Sequence, residues 1–376
     1  MTRPPTILPA IVAAQFAGIS MWFAGNAVLP ELQAELGAED MLGLVTSTVQ
    51  AGFIVGTLAS ALTGLADRVS PRALFLASAL LGAAANLLVL AAPSAAAVGA
   101  ARFAVGLCLA GIYPIGMKIA AGWYKDGLGS ALGMLVGALV LGTAFPHLLR
   151  ALGTDLPWRS VIVGTSALAA GGGVLLYALV PDGPHLAAGA RFSVADLRAA
   201  FRVPAFRRAA LGYWGHMWEL YTVWALLPAI IAAHPAGLSV SGWSAAAIGV
   251  GAVGCVIGGR ASLRVGSRRV AGGMLLVSGL CCLAFPWLRL APPALFGAYL
   301  LAWGIAVVGD SPQFSTMTAR AAPPGMLGSG LTVVTSVGFA LTIASIGLAE
   351  ASGALDVVVP ALAIGPALGL VALSRE

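Results

Sequence analysis

The residues able to do chemistry in this chain are few, and most lie inside apolar stretches. The richest stretch is Tyr213-Trp214-Gly215-His216-Met217-Trp218-Glu219-Leu220-Tyr221, which sets a carboxylate and an imidazole three residues apart among aromatic rings. A second acid stands in Gly309-Asp310-Ser311-Pro312-Gln313, and a lone arginine in Arg102-Phe103-Ala104-Val105-Gly106. An acid and a histidine within one helical turn can pass a proton between them. A guanidinium can hold a carboxylate or another anion. A charge at bilayer depth costs at least ~2.5 kcal/mol, so such a group is kept there for a task. Glu219 is expected to be the main proton-carrying acid and Asp310 the second, with His216 close enough to Glu219 to share the proton. The competing use of these groups is a structural pair that locks the two helix bundles together.

Other chemistries lack their residues. There is no Gly-x-Ser-x-Gly elbow, no paired-histidine motif and no Gly-x-x-x-x-Gly-Lys phosphate loop. Asp310-Ser311 has no base at a recognisable spacing. Cys108, Cys255, Cys281 and Cys282 match no metal-ligand pattern, and adjacent cysteines are poorly placed to bridge each other. No metal and no cofactor are expected.

The elements that position these residues follow from composition. Of 376 residues, 59% are hydrophobic and 9% charged, against about 25% charged in a soluble chain. That much apolar surface needs lipid as its solvent. A soluble enzyme, a secreted disulfide scaffold and a nucleic-acid binder are excluded. A crossing helix needs about 20 mostly apolar residues. Twelve stretches qualify: 7–29, 41–63, 73–92, 95–121, 128–151, 160–180, 209–232, 242–259, 270–290, 293–318, 327–349 and 354–373. The run 7–29 is too long for a signal-peptide core and is expected to remain as the first span. Open strands cannot cross lipid, so the fold expected is all-α.

The longest gap, 181–208, carries five arginines and a short amphipathic stretch at 193–202. It divides the chain into an N-terminal bundle (1–180), a cytoplasmic linker (181–208) and a C-terminal bundle (209–376). With the N-terminus inside, fifteen basic residues fall on inner segments and three on outer ones, with Arg102 and Lys118 within a span. That bias places both termini in the cytoplasm. Lys118, near the inner end of its span, is expected to snorkel to the interface.

The halves resemble each other at an offset of 198 residues. Gly106, Gly111 and Pro114 match Gly304, Gly309 and Pro312; Leu29-Pro30 matches Leu227-Pro228; with one insertion, Leu128-Gly129-Ser130 matches Leu327-Gly328-Ser329. Two related six-helix bundles are a transporter design.

The stretch from Thr63 to Arg72, Thr-Gly-Leu-Ala-Asp-Arg-Val-Ser-Pro-Arg, resembles the loop motif between helices 2 and 3 of the major facilitator superfamily. Asp67, Arg68 and Arg72 match its acid and bases, while Thr63, Ser70 and Pro71 depart from it. The counterpart after span 8 runs from Gly259 and Arg260 to Arg269 without an acid. Arg102 followed by Gly106 is similar to the family's helix-4 motif. Gly133, Gly142 and Pro146 partly match its antiporter motif, with Phe145 where a glycine is usual.

The resemblance implies twelve helices in two pseudo-symmetric bundles, a monomer, and a central cavity lined by helices 1, 4, 7 and 10. It also implies an inner gate in which Asp67 pairs with nearby bases and a helix end. Helical phase then puts Gln15, Trp22 and Asn26 on the cavity face of span 1, Arg102 and Tyr113 on span 4, and Trp303, Asp310 and Gln313 on span 10; Tyr213 of span 7 is a further cavity candidate. Gln50 is a wall residue and His147 an interfacial one.

The expected function is proton-coupled secondary transport of a small organic solute in a plasma or bacterial inner membrane. A membrane-embedded enzyme and a transport-inactive sensor are the alternatives. Among transporters the rival is an inorganic-anion porter, nitrate-, nitrite- or cyanate-like. Nitrate porters rely on arginines in helices 2 and 8, and spans 2 and 8 here contain none.

Overall fold

The computed structural model describes residues 4–124, 127–153, 157–186, 194–322 and 327–374; the side chains of Asp67, 194–197 and 327–329 lie outside that description. Arg3, Lys125, Arg191 and Arg375 of the charge count fall outside it too. Every regular element among the described residues is helical. Cα packing divides the chain into a first unit, Met1–Arg191, and a second, Phe192–Glu376.

The first unit runs α1 (Ile7–Ile19), α2 (Ala24–Ala27), α3 (Leu29–Leu36), α4 (Leu42–Thr63), α5 (Leu65–Arg68), α6 (Pro71–Leu87), a 3-10 turn (Leu88–Ala91), α7 (Ala95–Leu109), α8 (Tyr113–Trp123), α9 (Leu128–Leu152) and α10 (Arg159–Leu179). The second runs α11 (Val194–Arg202), α12 (Pro204–Ala232), α13 (Val240–Gly249), α14 (Gly251–Val265), α15 (Ser267–Leu288), α16 (Pro293–Gly309), α17 (Ser311–Ala321), α18 (Leu327–Ser352), α19 (Leu355–Ala361) and α20 (Ile364–Ser374). Among the described residues, ten helical segments are long and apolar enough to cross a membrane. With the shorter apolar α1 and the acid-bearing α12, they fall on the twelve predicted stretches. The protein is an integral, multi-pass membrane protein.

The two units repeat one packing device. A Cβ on Gly106 of α7 would strike the Val49 carbonyl of α4, and one on Gly304 of α16 would strike the Ala247 carbonyl of α13. Likewise Gly56 faces the Leu107 carbonyl, and Gly254 faces that of Ile305. Each contact recurs at the 198-residue offset. Small residues let membrane helices approach backbone to backbone, which is the physical content of the sequence repeat.

Several spans read as continuous are broken. Span 4 stops at Leu109 and restarts at Tyr113; span 10 stops at Gly309 and restarts at Ser311, with Pro114 and Pro312 in the first turns after the breaks. Proline lacks the N–H that a first turn leaves unpaired anyway, so it restarts a helix well and continues one badly. The paired prolines Pro30 and Pro228 behave differently. Pro30 begins α3, whereas α12 runs straight through Pro228. Residues 204–208, assigned to the linker by sequence, form the first turn of α12, because Pro204 suits its N-terminal position. The short helix α11 docks on this unit. Phe201 packs against Phe206 and Trp214, with ring centroids 5.3 and 5.8 Å away.

Candidate functional site

The second unit builds its polar centre from α12, α15, α16 and the break before α17. Glu219 sits in the middle of α12 and is 1% exposed. Its Oε1 accepts hydrogen bonds from Ser278 Oγ at 2.5 Å, Trp303 Nε1 at 2.9 Å and Cys282 Sγ at 3.1 Å. Ser278 and Cys282 lie four residues apart on α15 and so share one face. Three neutral donors on two neighbouring helices thus converge on one carboxylate oxygen.

Asp310 stands between α16 and α17. Its carbonyl accepts from the Gln313 and Phe314 N–H groups at 2.9 and 3.1 Å, which opens the new helix. Its carboxylate Oδ1 lies 2.8 Å from His216 Nδ1, and both side chains are 1% exposed. The imidazole is held between the rings of Tyr213 and Phe314, at 5.7 and 6.1 Å. His216 Nε2 has no hydrogen-bond partner among the described residues.

These distances correct the sequence reading. His216 lies against Asp310 and not against Glu219. Residues three apart on a helix point to nearby but different neighbours, and α17 begins where it can meet the first of them. Trp303, expected on the cavity wall, is 1% exposed and spends its indole N–H on Glu219. Gln313 is 3% exposed beside Asp310. Neither acid has an arginine or lysine partner among the described residues; Asp310 faces His216, which is a cation only when protonated.

In the first unit Arg102 is fully buried, and its expected cavity role is also corrected. Its guanidinium donates to the Met21 carbonyl at 2.9 Å, to the Trp22 carbonyl, and to Asn86 Oδ1 at 3.3 Å. Met21 and Trp22 lie where α1 stops short of α2, and a helix end leaves carbonyls short of helical donors; the Met21 carbonyl accepts a long 3.4 Å bond from the Ala24 N–H. Arg102 adds a charged donor to each carbonyl and so stabilises the break. Asn86 in turn donates to Ser166 and Thr165 of α10 at 3.0 and 3.2 Å. Asn26 donates to Thr46 Oγ1 at 2.6 Å. Both amide atoms of Gln15 and of Gln50 are buried without a hydrogen-bond partner among the described residues. Trp22 is buried, and Tyr113 begins α8 directly after the break in span 4. His147, expected at the interface, is 2% exposed within α9.

The loop after α4 is tied into the first unit. The Lys118 ammonium reaches the loop after α4, donating to the Ala66 carbonyl at 2.6 Å, one residue before Asp67. Arg72 lies 4.0 Å from Asp182 and 5.0 Å over the Tyr177 ring, and Ser70 donates to Asp182 at 2.7 Å. The described partner of Arg72 is therefore the acid that follows α10. Arg68 is exposed at the end of α5.

Sequence reasoning missed Ser278, Cys282, Asn86 and Asp182. The first three are polar or polarisable groups inside apolar runs, a legible signal once every intramembrane polar residue is treated as a candidate. Among the described residues no three His, Cys, Asp or Glu side chains gather as a metal site.

Comparison with known proteins agrees with this architecture. The profile of the Major Facilitator Superfamily matches residues 11–346. The solved structure of the human organic anion transporter MFSD10 (TETRAN) is similar over 99% of this chain and 100% of its own, with a TM-score of 0.72 at 14% identity. That likeness is one of fold. No curated protein matches the sequence. A helical chain with this repeat and these helix-end motifs, matched over most of its length, belongs to the Major Facilitator Superfamily and is a transporter rather than an enzyme.

Proposed function

We propose that the protein is a proton-coupled secondary transporter of a small organic solute, working by alternating access. The observation that carries this reading is the pair of buried acids. Glu219 and Asp310 are each 1% exposed, and their described partners are neutral donors and a histidine, with no fixed positive charge. A carboxylate so placed must either be held by dipoles or take up a proton. A group that alternates between those two conditions couples a conformational change to a proton gradient. Glu219 is the main coupling acid, and the His216–Asp310 pair is the second station.

The solute is recognised through neutral polar and aromatic side chains. Gln15 and Gln50 offer amides with no hydrogen-bond partner among the described residues, and Trp22, Asn26, Tyr113, Tyr213 and Gln313 complete the set. The inorganic-anion alternative is the weaker one, because the guanidinium of Arg102 is engaged by three oxygen acceptors. Asp67, Arg68, Arg72 and Lys118 form the inner gate. Purified protein in liposomes should accumulate its solute when an inward or outward proton gradient is imposed, and an uncoupler should abolish the accumulation. Accumulation indifferent to the uncoupler would refute proton coupling.

Both termini lie in the cytoplasm on this reading, from the fifteen-to-three distribution of basic residues. Reporter fusions at residue 376 and in the linker near Gly189 should both give the cytoplasmic signal. An external signal from either fusion would overturn the orientation.

A further inference from the structure

The second unit carries a basic cavity that the transport mechanism does not use. Its volume is about 270 Å³, and it is lined by Arg208, Arg268 and Arg320 over an apolar floor that includes Met317 and Leu373. The three arginines come from three helices, α12, α15 and α17. No carboxylate lines the cavity among the described residues. Arg268 and Arg320 are exposed and can turn toward a ligand, and Arg208 is half-buried beside them.

Two helix N-termini add to this field. Ala205, also in the lining, belongs to the first turn of α12, a helix of 29 residues. Arg268 belongs to the first turn of α15, a helix of 22 residues, which starts directly after Gly266 at φ +88°. A helix start exposes unpaired N–H groups and the positive end of the helix dipole, and so favours an anion. At the 198-residue offset of the repeat, Val265 stands where the first half has Asp67. The first half thus supplies an acid among its gate bases, whereas the second half presents bases alone around a cavity.

We infer that this cavity binds a phosphate-bearing anion, with the phosphate among the three guanidinium groups. Arginine matches phosphate oxygens in a bidentate fork. Basic pockets between helices on the cytoplasmic side of a membrane protein suit the headgroups of anionic phospholipids. The apolar floor of Met317 and Leu373 accommodates the first carbons of an acyl chain, which a free phosphate would leave unused.

The test uses delipidated full-length protein in a neutral detergent. Native mass spectrometry and thermal unfolding follow titrations with phosphatidylglycerol, with phosphatidylcholine and with inorganic phosphate. Saturable binding of phosphatidylglycerol with none of phosphatidylcholine is expected, weakened at least about tenfold in Arg268→Gln/Arg320→Gln. Arg264→Gln, a charge change in the neighbouring helix α14 outside the lining, should leave the affinity within about twofold. If inorganic phosphate alone reproduces the effect, the anion site stands and its occupant is a soluble phosphate. If Arg264→Gln weakens binding as much as the double variant, the attraction is diffuse and the site is refuted. The site is equally refuted if neither phosphate source binds wild type better than the double variant. Should the double variant not be monodisperse, Arg268→Gln and Arg320→Gln are measured singly, and each must weaken binding for the site to stand.

Discussion

Glu219→Gln should lose proton-driven accumulation, by more than about tenfold, while exchange of solute across the liposome membrane stays near the wild-type rate. The substitution keeps the shape of the side chain. Its carbonyl oxygen can still accept from Ser278, Trp303 and Cys282, the three donors that meet on Oε1. What it removes is the ability to gain and lose a charge. In the proposed cycle the acid is neutral in one step and ionised in another, and net uphill transport needs both. Exchange needs only the change of state with solute bound, which a permanently neutral side chain permits. A merely structural Glu219 would behave differently. Glutamine would satisfy the same donors, and accumulation would continue at the wild-type rate. That result would move the coupling role to His216 and Asp310, whose 2.8 Å contact already brings a titratable base to the second acid.

How far these residues could be read from the sequence depends on what fixes each one. The burial of Glu219 and Asp310 was legible, because both stand inside long apolar stretches. The break at Asp310 was half legible: Gly309 and Pro312 flank it, and proline marks the restart. The break after α1 was not. The stretch Ser20-Met21-Trp22-Phe23 carries no proline or glycine, and it is stabilised from outside by the guanidinium of Arg102 on the Met21 and Trp22 carbonyls. A local pattern cannot disclose a donor that arrives from some eighty residues away. For the same reason helical phase put Arg102 on the cavity face, although the chain uses it inside the first unit. The partner of His216 was likewise set by a tertiary contact, since Asp310 is far along the chain and Glu219 only three residues away.

The repeat leads to the other large effect. Gly106→Ala and Gly304→Ala should each destabilise the protein by about 1–3 kcal/mol, the usual cost of forcing atoms into a filled interior. The fall should appear as a lower unfolding temperature in detergent and a lower yield of monodisperse protein. The added methyl group would meet a backbone carbonyl, that of Val49 in one unit and of Ala247 in the other. A carbonyl within a helix cannot swing aside as a side chain can, so the two helices must separate along their crossing. Separation also loosens the neighbouring contacts of Gly56 with Leu107 and Gly254 with Ile305, which makes each lesion larger than one methyl group. Gly133→Ala is the control. Gly133 lies in α9 with nothing within 4 Å of its added Cβ, and alanine favours a helix interior by about 0.8–1.0 kcal/mol over glycine. It should melt at or slightly above the wild-type temperature. Equal behaviour of all three variants would mean that the matched glycines of the two halves mark shared ancestry without a shared packing role. Equal losses at Gly106 and Gly304 alone would show that the 198-residue spacing is maintained by the same helix crossing in both units.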